Sequence, residues 1–221
     1  MKRAVIVING DLSNIKNVTF LPDDFVICTD GATEKVLKRN IIPSVVIGDF
    51  DSISGKTIQK LTQKKVPMIT YPSKKDKSDS ELSIEFAYKK KYKQIVICGL
   101  LGRRLDHMLA NILLLGRNII AGCDITIVDY NIILYSVRKE KIIIGKKNDI
   151  VSLLPITKQV EGVTTNGLSY TLNNATLYFG STRGISNYLT SNKAQITIKK
   201  GVLLVAHEHR DLISDRKTIN T

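Results

Sequence analysis

The sequence predicts an α/β fold, with an N-terminal three-layer α/β domain with a mostly parallel sheet over residues 1–130, followed by a C-terminal antiparallel β-sandwich domain over residues 131–221. Two observations predict this fold. Continuous apolar runs alternate with helical patterns as far as about residue 130, which is typical of repeated β–α units around a parallel sheet. Beyond that residue the helical patterns end, and short apolar runs separated by Gly, Asn, Ser and Lys are typical of an antiparallel sandwich or barrel.

The strands of the first domain are predicted from apolar runs that are continuous rather than alternating, because a parallel strand is buried on both faces. In chain order these runs are AVIVIN, FVICTD, SVVIGD, PMITY, QIVICGL and DITIVDY. The helices predicted between them are TEKVLKRN, GKTIQKLTQKK, SDSELSIEFAYKKK and RLDHMLANILLLGRNIIAG. The third is the strongest, because Ser78 or Asp79 can cap its N-terminus and Glu81 supports its first turn.

The second domain is predicted to consist of short strands alone. In chain order they are IILYSV, KIIIG, DIVSLLP, VEGVTT, LSYTL, TLYFG, AQITIK and GVLLVAH. No linker rich in Pro, Gly or Ser precedes them, so the two domains are expected to pack closely.

The net charge of +13 leaves two interpretations open. A basic chain can bind nucleic acid, or its lysines can form a solvated surface. The solvated surface is favoured, because Lys outnumbers the base-reading Arg and basic runs such as KKKYK contain few aromatic residues. No nucleic-acid partner is therefore expected, and an anionic substrate fits the charge.

The cysteines and the apolar runs predict a cytoplasmic protein without a membrane partner. The three cysteines show no CxxC spacing, which favours buried, reduced thiols. The apolar run after the N-terminal MKR is too short for a signal peptide, and no run is long enough to span a bilayer.

Polar residues collect at the carboxyl ends of the predicted parallel strands, the edge at which α/β sheets bind ligands. After the first to the fifth strand these residues are Asn9, then Asp30, then Asp49 and Asp51, then Lys75, Asp76, Ser78 and Asp79, and then Arg104, Asp106 and His107. One acidic strand end means little, because Asp is common in turns and helix caps. Acids and cations at successive ends indicate one site for phosphoryl-type transfer, where positioning and charge neutralisation do most of the catalysis.

The GDFDS stretch predicts a magnesium site within this cluster. In an extended chain Asp49 and Asp51 point the same way, with Cα atoms about 6–7 Å apart. Two like charges at that distance repel by about 3 kcal/mol at an effective dielectric constant of 20, so in a cleft they require a cation. Paired carboxylates and substrate phosphates are the ligands that Mg²⁺ takes in such sites.

Other motifs exclude or leave open further chemistry. No GxxxxGK[ST] sequence is present, so the chain is not an ordinary P-loop kinase, and GxSxG is absent as well. His207 and His209 fall on one face of a predicted strand, which is half of a metal site. No third ligand is evident, so this pair is interpreted as structural.

The motifs taken together are similar to those of the thiamine pyrophosphokinase (thiamine diphosphokinase) family. The resemblance covers nearly the whole chain and rests on TDGA, PSVVIGDFDSIS, KKDKSDSELSIEFA, GRRLDHMLANI, GVTTNGLSYTL and GSTRGISN, in the family's order and spacing. It implies a homodimeric enzyme with an α/β domain and a β-sandwich domain. Such an enzyme transfers the diphosphoryl group of Mg·ATP to the hydroxyl of thiamine, giving thiamine diphosphate and AMP.

The resemblance also implies roles for individual residues. Asp49, Asp51 and Asp79 would hold Mg²⁺ against the phosphates, and Asp76 would support them. The other residues expected in the phosphate and substrate pocket are Asp30, Arg104, Asp106, Ser78 and Asn9.

The thiamine site of the family uses the sandwich domain of the second subunit, so the resemblance implies active sites shared between subunits. Tyr170 would stack on the aminopyrimidine ring, beside Ser186 and Asn187 of the SN motif. The sequence departs from the family pattern at Ala32, where the methyl group is expected to crowd a backbone turn, and at Leu101 and Arg103.

Two other functions explain part of the sequence. A nucleotide-sugar glycosyltransferase would use the paired carboxylates but leave GLSY and GISN without a role. A basic nucleic-acid-binding module would explain the charge, but acids at strand ends repel a phosphate backbone unless a metal ion is bound.

Overall fold

The computed structural model describes residues 2–12, 18–100, 102, 104–117 and 122–209. The chain divides into two compact units, one of Met1–Leu114 with Ile127–Asp129 and one of Leu115–Thr126 with Tyr130–Thr221. Within the described ranges, no helix is both long enough and apolar enough to cross a membrane.

The first unit is built around a parallel sheet, as predicted. Its strands are β1 (Arg3–Val7), β2 (Phe25–Thr29), β3 (Val45–Gly48), β4 (Met68–Thr70) and β5 (Gln94–Cys98), and its helices are α1 (Asp30–Leu37), α2 (Gly55–Gln63), α3 (Asp79–Lys89) and α4 (Leu105–Leu114). The strand order is β5-β1-β2-β3-β4, and neighbouring strands are parallel. The chain leaves β1 toward β2 on one side and returns as β5 on the other, and the ends of such strands open a ligand-binding crevice.

The core of the first unit explains why its strands are continuous apolar runs. Val5, Val26 and Val46 of three neighbouring strands are buried together with Val36 of α1 and Leu61 of α2. The expectation that the PMITY strand is buried is wrong, because Met68 and Thr70 of β4 are exposed. β4 lies at the end of the strand order and pairs only with β3 among the described strands, so it has one neighbour to cover it.

The helices begin and end close to the predicted positions. The Ser78 hydroxyl caps α3 by accepting a hydrogen bond from the Glu81 backbone N–H, so Ser78 rather than Asp79 is the cap. The fourth helix ends at Leu114, well before the end of the predicted helical stretch, whose residues 118–121 lie outside the described residues.

The second unit is an antiparallel sandwich. β6 (Asp124–Asp129) is divided between the units, and the strands that follow are β7 (Ile132–Val137), β8 (Glu140–Ile144), β9 (Ile150–Pro155), β10 (Gln159–Asn166), β11 (Ala175–Tyr178), β12 (Asn187–Tyr188), β13 (Lys193–Thr197) and β14 (Leu203–Glu208). One layer has the order β12-β9-β14-β7 and the other has the order β11-β10-β13-β8. Leu153 and Val205 of the first layer share a core with Val163 and Ile196 of the second, as inward-facing residues of a sandwich do.

Two details of this unit differ from the sequence prediction. LSYTL is not a strand: it lies in the loop between β10 and β11, where Leu168 makes only an isolated bridge to Leu189. The short strand β12 falls in the ISN stretch, where two residues give no periodicity to detect.

Candidate active site

The carboxyl ends of the parallel strands open into a cleft of about 770 Å³, and the described residues that line it all belong to the first unit. That volume is typical of a small-molecule site. The cleft brings together ten of the residues selected from the sequence: Asn9, Asp30, Asp49, Asp51, Lys75, Asp76, Ser78, Asp79, Arg104 and His107. Asp106 does not line it, and Tyr170, Ser186 and Asn187 belong to the second unit.

Asp30, Asp49 and Asp51 form a carboxylate cluster in the cleft. Each offers one oxygen atom, and these three atoms lie within 4.8 Å of one another. Two full charges at that distance repel by about 3.5 kcal/mol at an effective dielectric constant of 20. The convergence of three carboxylates therefore favours a bound cation.

The pKa values of Asp30 and Asp49 are shifted in opposite directions. Burial raises the pKa of Asp30, and the nearby carboxylates of Asp79 and Asp49 raise it further. A hydrogen bond from Ser73 lowers the pKa of Asp49, which also accepts a hydrogen bond from Asp30. Asp30 is therefore the weaker acid of this pair.

A turn, rather than strand alternation, brings Asp49 and Asp51 together. β3 ends at Gly48, and Phe50 adopts a left-handed conformation with φ of 64°. The backbone N–H of Asp51 then donates to the Asp49 carboxylate at 3.4 Å. The expectation of an extended chain here is wrong, although the two carboxylates do converge. The Phe50 ring packs against the hydrophobic core, which holds this uncommon backbone conformation in place.

Gly48 makes room for Asp30. A Cβ atom at residue 48 would lie 2.8 Å from both Cβ and Cγ of Asp30, and this is too close for any side chain. The Asp30 carboxylate also accepts a hydrogen bond from the Gly31 N–H at 2.5 Å. Asp30 is thus the first residue of α1, held against the end of the neighbouring strand.

Asp79 lies at the first position of α3, on another wall of the same cleft. Lys75 Nζ is 2.9 Å from Asp79 Oδ1, but the geometry is not that of a hydrogen bond. Asp79 Oδ1 is buried and accepts no hydrogen bond from any described residue. Lys75 balances part of the negative charge of Asp79, and both residues line the cleft beside the N-terminus of α3.

Asn9 is held in a fixed orientation at the end of β1. Lys35 donates to Asn9 Oδ1 at 2.8 Å and to the Gly10 carbonyl at 2.9 Å. A Cβ atom at Gly31 would lie 2.1 Å from Asn9 Nδ2, so glycine is required for this contact. Asn9 is one of the residues that line the cleft.

Arg104 and Asp106 form an exposed bidentate ion pair. Arg104 Nε donates to Asp106 at 2.9 Å and Nη2 donates to the other oxygen at 2.5 Å. These hydrogen bonds hold the pKa of Asp106 well below its ordinary value. Asp106 therefore contacts Arg104, which lines the cleft, and does not line the cleft itself.

Sequence reasoning missed Ser73, Lys77 and Asn111, which also line the cleft. Ser73 hydrogen-bonds Asp49, and Lys77 Nζ contacts both oxygens of the buried Glu85 at 2.8 Å. Lys77 belongs to the KKDKSD stretch that sequence reasoning did select. Ser73 and Asn111 carry no spacing signal, because the fold alone brings them to the cleft.

In the second unit, Asn187 fixes the loop that carries Tyr170. Its amide accepts a hydrogen bond from the Tyr170 N–H at 2.9 Å and donates to the Tyr170 carbonyl at 2.7 Å. The Tyr170 ring is 66% exposed and meets the Tyr188 ring edge-on at 6.0 Å. Tyr170 therefore does not fill the sandwich core. Ser186, in a left-handed conformation, donates its backbone N–H to Ser152.

The departures from the family pattern are partly explained. Ala32 lies inside α1 with its methyl group in the hydrophobic core, so it does not crowd a turn. Leu101 and Arg103 lie outside the described residues.

Comparison with known proteins identifies a family for both halves of the chain. Residues 6–127 match the family described as "Thiamin pyrophosphokinase, catalytic domain", and residues 136–203 match "Thiamin pyrophosphokinase, vitamin B1 binding domain". The chain is 30% identical to a thiamine pyrophosphokinase of Bacillus subtilis over 209 residues, which cover 93% of this chain and 98% of that protein.

Solved structures give the same result. A crystal structure of thiamine pyrophosphokinase from Bacillus subtilis aligns with a TM-score of 0.82 at 27% identity, covering 94% of this chain and 99% of that one. One from Geobacillus thermodenitrificans aligns with a TM-score of 0.79 at 27% identity, covering 93% and 97%.

Proposed function

The chain belongs to the thiamin pyrophosphokinase family and is a thiamine diphosphokinase, and we propose that the acidic cleft of its first unit is the active site. The observation that supports this proposal most strongly is the convergence of Asp30, Asp49 and Asp51 on one point of the cleft that the N-terminus of α3 also lines. In the reaction, the thiamine hydroxyl oxygen forms a bond to the β-phosphorus of ATP. The bond from that phosphorus to the oxygen bridging to the α-phosphorus breaks, AMP leaves with that oxygen, and the hydroxyl proton is released.

The residues of the cleft fit a divalent cation, as an ATP-utilising kinase needs, and we propose Mg²⁺. The carboxylates that line the cleft offer a donor set of oxygen atoms alone, which is the set that Mg²⁺ prefers. Asp49, Asp51 and Asp79 are the proposed ligands, and Asp76 supports them. When bound, the cation neutralises phosphate charge and orients the ATP phosphates.

The protein's own groups supply the remaining contacts to phosphate. The first turn of α3 presents backbone N–H groups from the Ser78 cap onward, a site that suits an anion. Lys75, Lys77 and Arg104 line the same cleft, and each is paired with an acidic residue. This pairing holds the cations in place before substrate binds. Asp30 and Asn9 line the same cleft and are proposed to bind substrate.

We propose that residues 1–130 form the catalytic domain and residues 131–221 a domain for thiamine binding and dimerisation. In the proposed homodimer, Tyr170, Ser186 and Asn187 of one subunit complete the cleft of the other. The exposed Tyr170 ring is available for stacking on a flat cation. Leu105, Leu109 and Leu113 are also exposed and recur every fourth residue on α4, so they form an apolar stripe that a partner subunit would cover.

We also propose that the enzyme works in the cytoplasm. All three cysteines are free and buried, and burial raises the pKa of Cys98 to about 12. Inert, unpaired thiols fit a reducing compartment.

Incubation of the protein with ATP, Mg²⁺ and thiamine should yield AMP and thiamine diphosphate in equal amounts. Mass spectrometry of the products checks this, with an incubation lacking thiamine as the control. Formation of ADP and thiamine monophosphate would instead mean attack at the γ-phosphorus, and the proposed transfer would be wrong.

Gly48→Ala should lower kcat/KM at least about tenfold with little loss of helical and strand structure, because the new methyl group displaces the Asp30 carboxylate. The matched control is Gly55→Ala, since a Cβ atom there meets nothing within 4 Å. Steady-state kinetics and circular dichroism of both variants test the prediction. Equal kcat/KM in the two variants would show that the position of Asp30 does not matter.

A further inference from the structure

We propose that Asp149, His207 and His209 form a second metal site, in the second unit, which binds a divalent transition metal ion of the Zn²⁺ type. The sequence alone showed two histidines on one strand face and no third ligand. The fold supplies that ligand from 58 residues earlier in the chain. This site is separate from the acidic cleft, whose lining lies wholly in the first unit.

The spacing of the three side chains matches a metal coordination sphere. His207 Nε2 lies 3.0 Å from Asp149 Oδ2, and His209 Nδ1 lies 3.4 Å from the same oxygen. The two imidazole rings are 4.2 Å apart between centroids, and all the donor atoms lie within 4.8 Å of one another. Tetrahedral Zn²⁺ with bonds of 2.0–2.1 Å keeps its donor atoms about 3.3 Å apart, so small movements would admit the ion.

Strand pairing fixes the positions of the ligands. β14 pairs with β9, with His207 opposite Val151, so residue 207 lies next to the start of β9, where Asp149 is located. His209 continues the strand by donating its backbone N–H to the Asn131 carbonyl. His207 therefore lies within β14, and Asp149 and His209 each lie one residue beyond the end of a strand.

Gly145 packs directly against the cluster. A Cβ atom at Gly145 would lie 2.6 Å from His207 Nε2 and 2.7 Å from Asp149 Oδ2, so a side chain there would displace the ligands. The φ of Gly145 is not positive, so the backbone conformation does not require glycine. Glycine is required at this position because a larger residue would collide with the two ligands. The Lys146 N–H donates to Asp149 Oδ2 at 2.9 Å and orients the carboxylate.

The donor chemistry selects the class of ion. Two imidazoles and one carboxylate suit Zn²⁺ and other divalent transition metals, whereas Mg²⁺ prefers oxygen ligands alone. Asp149 and His207 are buried and His209 is partly exposed, which leaves an entry path and a fourth position for water. Without a metal ion, the three side chains would form a hydrogen-bonded cluster. The experiment below distinguishes this metal-free cluster from a metal site.

The experiment uses the full chain, freed of metal with a chelator and titrated with Zn²⁺ in excess Mg²⁺, which occupies the acidic cleft. One equivalent of Zn²⁺ should bind, and at a hundredfold excess over Kd the Tm should rise by about 5 °C or more. Co²⁺ should give the intense visible absorption of a tetrahedral site. His209→Ala should weaken Zn²⁺ binding by at least about a hundredfold, because loss of a ligand costs more than loss of a supporting group.

The matched control is His107→Ala, which removes the third histidine of the chain from the first unit and should bind Zn²⁺ as the wild type does. The Tm of metal-free His209→Ala shows whether that variant folds, and His209→Gln replaces it if it does not. Binding that is unchanged in the His209 variant, or no binding by the wild type in excess Mg²⁺, would overturn the proposal.

Discussion

Replacing Asp51 by Asn should lower kcat by about a hundredfold or more while leaving the protein folded. The Asp51 carboxylate is one of three that converge in the acidic cleft, and an amide of the same size removes its charge. Its Oδ1 accepts a hydrogen bond from the Ser52 hydroxyl at 2.9 Å, which an amide oxygen can also accept. Because residue 51 is exposed, the change should cost little stability.

The measurement is kcat and the Mg²⁺ requirement of the variant, with its Tm. Asp23→Asn is the matched control, since Asp23 is exposed and lies outside the cleft lining. Asp49→Asn and Asp79→Asn should behave like the Asp51 variant. If kcat and the Mg²⁺ requirement of Asp51→Asn both equal those of the wild type, Asp51 is not a metal ligand.

Much of the fold could be predicted because burial leaves a pattern in the sequence. A strand that is covered on both faces, such as β1 or β2, is a continuous apolar run in the sequence. A sandwich strand that is covered on one face shows alternating apolar and polar residues. The same rule fails for β4, where Met68 is exposed and Ile69 is only half-buried, because among the described strands β4 has a neighbour on one side only. It also fails for LSYTL, where Leu168 is buried from a loop held by Asn187.

The acidic residues of the site could be predicted because the ends of parallel strands converge, whatever the local backbone does. How they are held could not be predicted. The turn at Phe50, the space left by Gly48 and the hydrogen bond from Ser73 to Asp49 depend on contacts between segments that are distant in sequence or on an uncommon φ. For the same reason, the sequence did not show that Asp149 lies beside the two histidines, since only the pairing of β14 with β9 brings them together.

Tyr170→Ala should raise the KM for thiamine about tenfold, with the KM for ATP and the Tm little changed. A stacking ring contributes about 0.5–1.5 kcal/mol beyond burial, or up to about 2 kcal/mol when a cation also contacts it. The Tyr170 ring is 66% exposed, so its loss should leave the sandwich core intact. Tyr178→Ala is the matched control, because Tyr178 is also an exposed tyrosine of the second unit. Equal KM values for thiamine in the Tyr170→Ala and Tyr178→Ala variants would show that Tyr170 does not stack on thiamine.

Mixing the Asp51→Asn and Tyr170→Ala proteins should restore activity at low thiamine if each site is shared between subunits. A mixed dimer then holds one site with both defects and one with neither, since the intact acidic cleft of one chain meets the intact tyrosine of the other. With random exchange, half of the dimers are mixed, so about a quarter of all sites are intact. Each variant mixed with itself is the control, and exchange is verified by native mass spectrometry of differently tagged chains. Confirmed exchange without any gain in activity would mean that both parts of each site come from one chain.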